Sequence, residues 1–170
     1  EIAAAKENGQ PIVPEVCIFF ENDLMRGNRT SKINADHFNA FRSYNYPVLA
    51  HAGIYIKYDD RQIYHPISRK PLKPHFLLDR NIAILKLFPG ISPLVIESIL
   101  NIPGIKGIVM ETFGSGNAPS QEWFLKMLKD AVDRGIVIVN ITQCSAGSVE
   151  MHRYETGHKL LEAGVISGFD

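Results

Sequence analysis

From residue 81 onward the sequence alternates short unbroken apolar runs with longer stretches whose apolar residues recur at helical spacing, and few folds accommodate that alternation. Residues 82–88, 105–113 and 136–142 predict strands, because they are short, continuous and rich in β-branched and aromatic residues. Residues 92–101 predict a helix: Ser92-Pro93 is an N-cap followed by a first-turn proline, and Val95, Ile96, Ile99 and Leu100 recur on one face. Residues 120–134 predict a second helix, with Trp123, Phe124, Met127, Leu128, Ala131 and Val132 on one face and Gly135 behind it. A third helix over 154–163 ends at Gly164. Apolar strands alternating with amphipathic helices predict an α/β domain with a doubly wound, Rossmann-like parallel sheet covered on both faces and joined by right-handed crossovers. Ligands of such sheets bind at the strand C-terminal ends, here the loops 89–92, 114–119 and 143–150.

The first part of the chain has another texture. Residues 2–6 are helix-like and are followed by an Asn8-Gly9 stop; residues 16–20 predict a buried strand. Residues 23–36 read as a polar loop that holds Arg26, Arg29 and Lys32 close together. Residues 47–58 and 62–66 predict short strands around the turn-forming Asp59-Asp60, and a polar, proline-bearing stretch follows. The expected division is therefore a first domain over 1–67, a linker over 68–80, and a second domain over 81–170.

Lys+Arg 18 against Asp+Glu 18 leaves the chain formally neutral, without the long-range field that gathers phosphate backbones, so nucleic acid is not an expected partner. The longest apolar runs are strand-sized, far below the roughly 20 residues that cross a bilayer, so no membrane partner is expected either. Cys17 and Cys144, the 2 cysteines, lie in strand-like apolar runs as expected buried thiols, which points to a reducing compartment. The start at Glu1 and the abrupt end at Asp170 lead to the expectation of a partial chain.

Gly114-Ser115-Gly116-Asn117-Ala118-Pro119 follows a strand and opens a helix, as a dinucleotide loop does, but Pro119 stands where the third glycine belongs and no acidic residue ends a second strand at the expected distance, so the stretch reads as a tight turn with helix capping. None of the 6 histidines has zinc-site spacing, so no metal is expected. Lys32, beside Thr30 and Ser31, reads either as a solvated loop lysine or as a general base, the latter only where burial or a neighbouring cation disfavours its ammonium. The stretch from Asn140 to Gly147 carries amide, hydroxyl and thiol groups off a strand end, suited to a small polar ligand such as an amino acid.

Together, Arg26-Gly27-Asn28-Arg29-Thr30-Ser31-Lys32, Asn39-Ala40-Phe41, the 113–119 turn, Gln143-Cys144-Ser145-Ala146-Gly147, Tyr154-Glu155-Thr156-Gly157 and the stretch 162–166 resemble the bacterial type I L-asparaginases, in order over essentially the whole chain. The resemblance implies that residues 1–67 are the end of a larger N-terminal α/β domain and 81–170 a smaller C-terminal one, in a cytoplasmic amidohydrolase that converts L-asparagine to L-aspartate and ammonia without metal or organic cofactor. It implies a threonine nucleophile and a Thr/Lys/Asp triad, of which Lys32 matches the lysine, while the threonines and the aspartate fall upstream of Glu1; this chain alone is then expected to be inactive. It further implies a dimer or dimer of dimers (a homotetramer), in which Asn117 and Tyr154 contact substrate in a neighbouring subunit. Thr142 and Cys144 match positions that bind an effector asparagine in some members, where an arginine precedes the Gly-x-Gly-Asn turn; this chain has Glu111 there. Two other readings belong beside it: an asparaginase-like amidotransferase subunit, and a non-catalytic amino-acid-binding or regulatory module.

Overall fold

The computed structural model describes residues 1–67, 71 and 73–168, and its contacts divide the chain into two units, Glu1–Pro74 and His75–Asp170. Residues 68–70 and 72 of the predicted linker lie outside the described residues.

The first unit is built from short antiparallel pairings. A helix over 2–6 does not form: a single 3-10 turn, Ile2–Ala4, leads into a hairpin of β1 (Lys6–Glu7) and β2 (Gln10–Pro11). Five residues are too few to sustain a helix. Asn8-Gly9, with φ 50° and 77°, supplies the two left-handed residues of a hairpin turn rather than a helix stop. β3 (Cys17–Phe20) pairs with β4 (Asp23–Arg26), which pairs with β7 (Ala50–Ala52), which pairs with β8 (Ile56–Tyr58). Beside this four-stranded sheet, β5 (Ser31–Lys32) and β6 (Phe41–Arg42) form a two-stranded ribbon. Leu24, Leu49, Ala50 and Ile63 make the core.

Two expectations are corrected here. The 23–36 loop opens as a strand, because Leu24 and Met25 are buried while β4 pairs on both sides. Residues 62–66 form no strand; Gln62 and Ile63 instead fold back on Asp59 through main-chain hydrogen bonds to its carbonyl.

The second unit is the α/β domain. β9 (Ile82–Lys86), β10 (Gly107–Thr112), β11 (Val137–Thr142) and β12 (Ile166–Ser167) form a parallel sheet in that order, joined by α1 (Pro93–Leu100), α2 (Glu122–Asp133) and α3 (Glu155–Glu162). Ser92 caps α1, its side chain accepting the Val95 N–H. Leu85, Ile108, Met110 and Ile138 face one way and bury against Ile96 and Leu100 of α1, Phe124, Leu128 and Ala131 of α2, and Leu160 of α3 in a single core. All three helices therefore lie on one face. On the other, Ile82, Ile84, Val137 and Ile166 are exposed, which corrects the expected cover on both faces within the described residues. The strand order is monotonic, and right-handed crossovers in a monotonic order place every helix on the same side. Among the described residues no helix is long and apolar enough to cross a membrane.

Candidate functional site

In the second unit the loops that leave the C-terminal ends of β9, β10 and β11 are tied into one platform. Gln143, immediately after β11, reaches sideways and donates from Nε2 to the carbonyls of Leu87 (2.6 Å) and Glu111 (2.9 Å), joining the ends of the two neighbouring strands. Thr142 donates its hydroxyl to the Gly114 carbonyl and accepts the Cys144 N–H at 3.0 Å, so one side chain fastens both the turn beyond β10 and the turn beyond β11. The Glu150 N–H closes the far side on the Ser115 carbonyl at 3.0 Å. Lys86 and Glu111 pair at 3.1 Å at the ends of β9 and β10.

The turn that presents Asn117 is closed by two main-chain bonds, Phe113 N–H to the Asn117 carbonyl (2.9 Å) and Asn117 N–H to the Phe113 carbonyl (2.8 Å). Gly116 has φ 113°, and a Cβ there would fall 2.8 Å from Val149 Cγ1 and 3.4 Å from Asn140 Nδ2. Only glycine fits both the backbone and the space. Asn117 is exposed, and its Oδ1 accepts the hydroxyl of Thr156 (3.2 Å) in the first turn of α3. Tyr154, the residue before α3, is exposed beside the Arg153 guanidinium, 5.7 Å from its ring centroid. Asn117, Tyr154 and Thr142 are thus held on one connected set of loops at the strand ends.

Beneath the platform the inward-facing positions turn from apolar to polar. Thr112 and Asn140 are fully buried, the threonine hydroxyl donating to Asn140 Oδ1 at 2.7 Å. Asn140 Nδ2 is buried without a hydrogen-bond partner among the described residues. Cys144 is exposed, which corrects the expectation of a buried thiol: β11 ends at Thr142, and the chain has already turned.

In the first unit Lys32 ends β5, opposite Phe41 of β6, and is exposed. The turn before it starts at Arg26, whose guanidinium forks onto Glu15, with Nη2 2.9 Å from Oε1 and Nε on Oε2. The Glu15 carboxyl also accepts the Tyr64 N–H. The Arg26 hydrogen bond first, and then the Tyr64 N–H, hold that carboxyl below its ordinary range against the opposing effect of burial. The hydrogen bond to Glu15 in turn holds the Arg26 guanidinium further toward its charged form, against the opposing effect of burial.

Sequence reasoning did not single out Thr112 or Glu15, and took Gln143 only as the first residue of the Gln143-Cys144-Ser145-Ala146-Gly147 stretch. The pattern contains a signal for Thr112: Ile108, Met110 and Thr112 share a parity that faces the core, so a polar residue at the third position requires a buried partner. Glu15 is invisible in this way, because its partners lie 11 and 49 residues away. Among the described residues no group of three or more His, Cys, Asp or Glu side chains is placed to hold a metal ion.

Comparison with known proteins gives matches along both units. A model of the glutaminase/asparaginase C-terminal domain matches residues 81–170, and one of the N-terminal asparaginase domain matches residues 2–64. L-asparaginase 1 of Escherichia coli (strain K12) is 42% identical over 93% of this chain and 46% of its own length. The 60 kDa lysophospholipase of Mus musculus is 41% identical over 95% of this chain and 28% of its own length. The crystal structure of L-asparaginase I from Vibrio cholerae superposes with a TM-score of 0.76 at 42% identity, covering 93% of this chain and 47% of that one. The chain thus spans less than half the length of each of these relatives.

Proposed function

The chain belongs to the glutaminase/asparaginase family, and from that membership we propose that it supplies the lysine and the C-terminal domain of an L-asparagine amidohydrolase. In this reading a threonine hydroxyl attacks the side-chain amide carbon of asparagine, Lys32 and an aspartate handle the proton through a second threonine, ammonia leaves, and water hydrolyses the acyl-enzyme to L-aspartate. The threonines and the aspartate belong to the part of the family that precedes the matched half.

The observation that carries the reading is the ordered match of both family domains, with Lys32 at the end of a pinned turn and Asn117 on another. A lysine serves as base only where burial or a neighbouring cation disfavours its ammonium. Lys32 is exposed here, so the reading assigns its cover to the preceding family segment. Asn117 and Tyr154 are assigned to the substrate site of a neighbouring subunit, which makes the working enzyme a dimer or a homotetramer; its compartment is assigned as cytoplasmic. Thr142 and Cys144 are assigned to an effector position. Both already bond within the platform, and Glu111, paired with Lys86, stands where some family members carry a carboxylate-binding arginine.

The test is ammonia release from L-asparagine by this chain alone and by a polypeptide carrying the family's preceding half ahead of Glu1, each with Lys32 or Lys32→Met. Turnover only in the longer Lys32 form supports the reading. Equal turnover by the longer Lys32→Met form sinks the role of Lys32. Fatty-acid release from lysophosphatidylcholine without ammonia release from asparagine sinks the substrate.

A further inference from the structure

We propose that Arg26, gripped by Glu15, is the positioning residue for Lys32: it fixes the turn over residues 27–31 that delivers the lysine, without itself touching substrate. The inference rests on the amidohydrolase reading for its kinetic consequence and on geometry for everything else.

The Arg26 side chain gathers four separate stretches of the first unit. Its fork takes both oxygens of Glu15, and Nη2 also donates to the Gln62 carbonyl at 3.1 Å. Its guanidinium lies 4.1 Å from the Tyr46 ring centroid, and the Tyr46 hydroxyl donates to the same Gln62 carbonyl at 2.8 Å. Glu15 in turn receives the Tyr64 N–H. The two charged side chains are only 20% and 8% exposed, so the contact is shielded from the solvent that weakens surface pairs.

The main chain of the turn starts from this clamp. The Gly27 N–H donates to the Val16 carbonyl at 2.8 Å, and a Cβ on Gly27 would meet that oxygen at 2.9 Å, so the chain passes against residue 16, next to Glu15. Gly27–Arg29 forms one 3-10 turn, and the Thr30 hydroxyl closes it by donating to the Arg26 carbonyl at 2.7 Å. Lys32 follows two residues later. On its far side it is held by the β5–β6 ribbon, two residues to a strand, which the Ile33 N–H extends by one bond to the Ala40 carbonyl at 2.7 Å. A ribbon that short has little stability of its own, so the orientation of Lys32 depends on the end that Arg26 anchors. A lysine at position 26 keeps the charge but lacks the planar fork and the stacking surface, and does not replace it.

Two measurements test this. On the chain itself, amide hydrogen exchange of residues 27–32 in Arg26→Met is expected to accelerate by more than about tenfold, with β7 and β10 unchanged. In the longer enzyme, Arg26→Met is expected to lower kcat for asparagine by about 100-fold, the usual consequence of misplacing a catalytic group by about 1 Å, with KM within about threefold. Arg26→Lys restores less than about a tenth of the lost kcat. Native exchange rates over residues 27–32 in folded Arg26→Met overturn the proposal, as does native kcat. Exchange that rises equally in β4, β7 and residues 27–32 also overturns it, by showing general unfolding of the unit. If Lys32→Met leaves ammonia release intact, the amidohydrolase reading falls by itself, and the exchange measurement still decides whether Arg26 orders the turn.

Discussion

A single methyl group on Gly157 measures how tightly α3 is set against the platform. Gly157 is buried in the first turns of α3, next to Thr156, whose hydroxyl meets Asn117. A Cβ at this position would run into the Met151 carbonyl oxygen and lie 2.7 Å from its carbon and Cα, all main-chain atoms. Relief requires a relative shift of roughly 1 Å, and Met151 is itself in the core at 1% exposure, where close packing resists such movement. Two effects compete. Alanine gains about 1 kcal/mol over glycine as a helix former, whereas overpacking costs about 1–3 kcal/mol and more when backbone is the obstacle. With backbone on the obstructing side the clash wins, for a net loss of about 2 kcal/mol. In a unit of this size each kcal/mol moves Tm by about 4–8 °C, so Gly157→Ala is expected to lower the melting of the second unit by about 10 °C in thermal circular dichroism. Gly135→Ala is the control: its φ is 90° but nothing lies within 4 Å of the added Cβ, so only the left-handed backbone cost of about 1–2 kcal/mol applies. A Gly157→Ala protein that melts at or above the unsubstituted temperature refutes the reasoning.

Three further outcomes are expected. Thr112→Val leaves Asn140 Oδ1 buried without its donor and is expected to cost about 1–3 kcal/mol in urea unfolding; Thr112→Val/Asn140→Leu costs less than the sum of the single changes, since both polar partners are then gone. Glu15 has its carboxyl lowered from 4.5 in the folded state, so its contribution is fully present above about pH 4.5 and is lost as pH falls through the lowered value. The urea midpoint of the first unit should therefore fall more steeply on acidification in the unsubstituted chain than in Glu15→Gln, and equal slopes would remove Glu15 from the account. Ile84 is 62% exposed on the uncovered sheet face; Ile84→Lys should change stability by less than about 0.5 kcal/mol while lowering concentration-dependent light scattering, and a loss above that would mean the face is covered in solution.

The second unit was legible because its signals are local. Ser92-Pro93 writes the start of α1, the spacing of Phe124, Leu128 and Ala131 writes the face of α2, and Gly135 writes its end, all within a few residues of one another. The first unit was less so. Its strands are two to four residues long, too short for a period to declare itself, and their partners are set by contacts distant in sequence. Leu24 and Met25, followed by Arg26, Gly27 and Asn28, read as the start of a polar loop, and only pairing with β3 and β7 makes them a strand. Cys144 went wrong for a related reason: the strand ends at Thr142 as its sequence predicts, and the turn that carries Cys144 out to solvent is set by a hydrogen bond, from the Cys144 N–H to the Thr142 hydroxyl.

The parallel sheet shows where local signals and topology part. A sheet buried on one side reads as alternation, apolar inward and polar outward, whereas β9 to β11 read as nearly unbroken apolar runs. The sequence of these strands thus asks for cover on two faces. The strand order answers for one: β9, β10, β11 and β12 lie side by side in chain order, and successive right-handed crossovers carry α1, α2 and α3 to the same side. Doubly wound cover requires a reversal of strand order, because only a connection that steps back across the sheet brings a right-handed crossover to the opposite face. No such step occurs among the described residues, which is why Leu85 is fully buried while its neighbour Ile84 stands in solvent. The platform is indifferent to this, because Gln143, Thr142 and Gly116 act at the strand ends, and its geometry follows from the three loops alone.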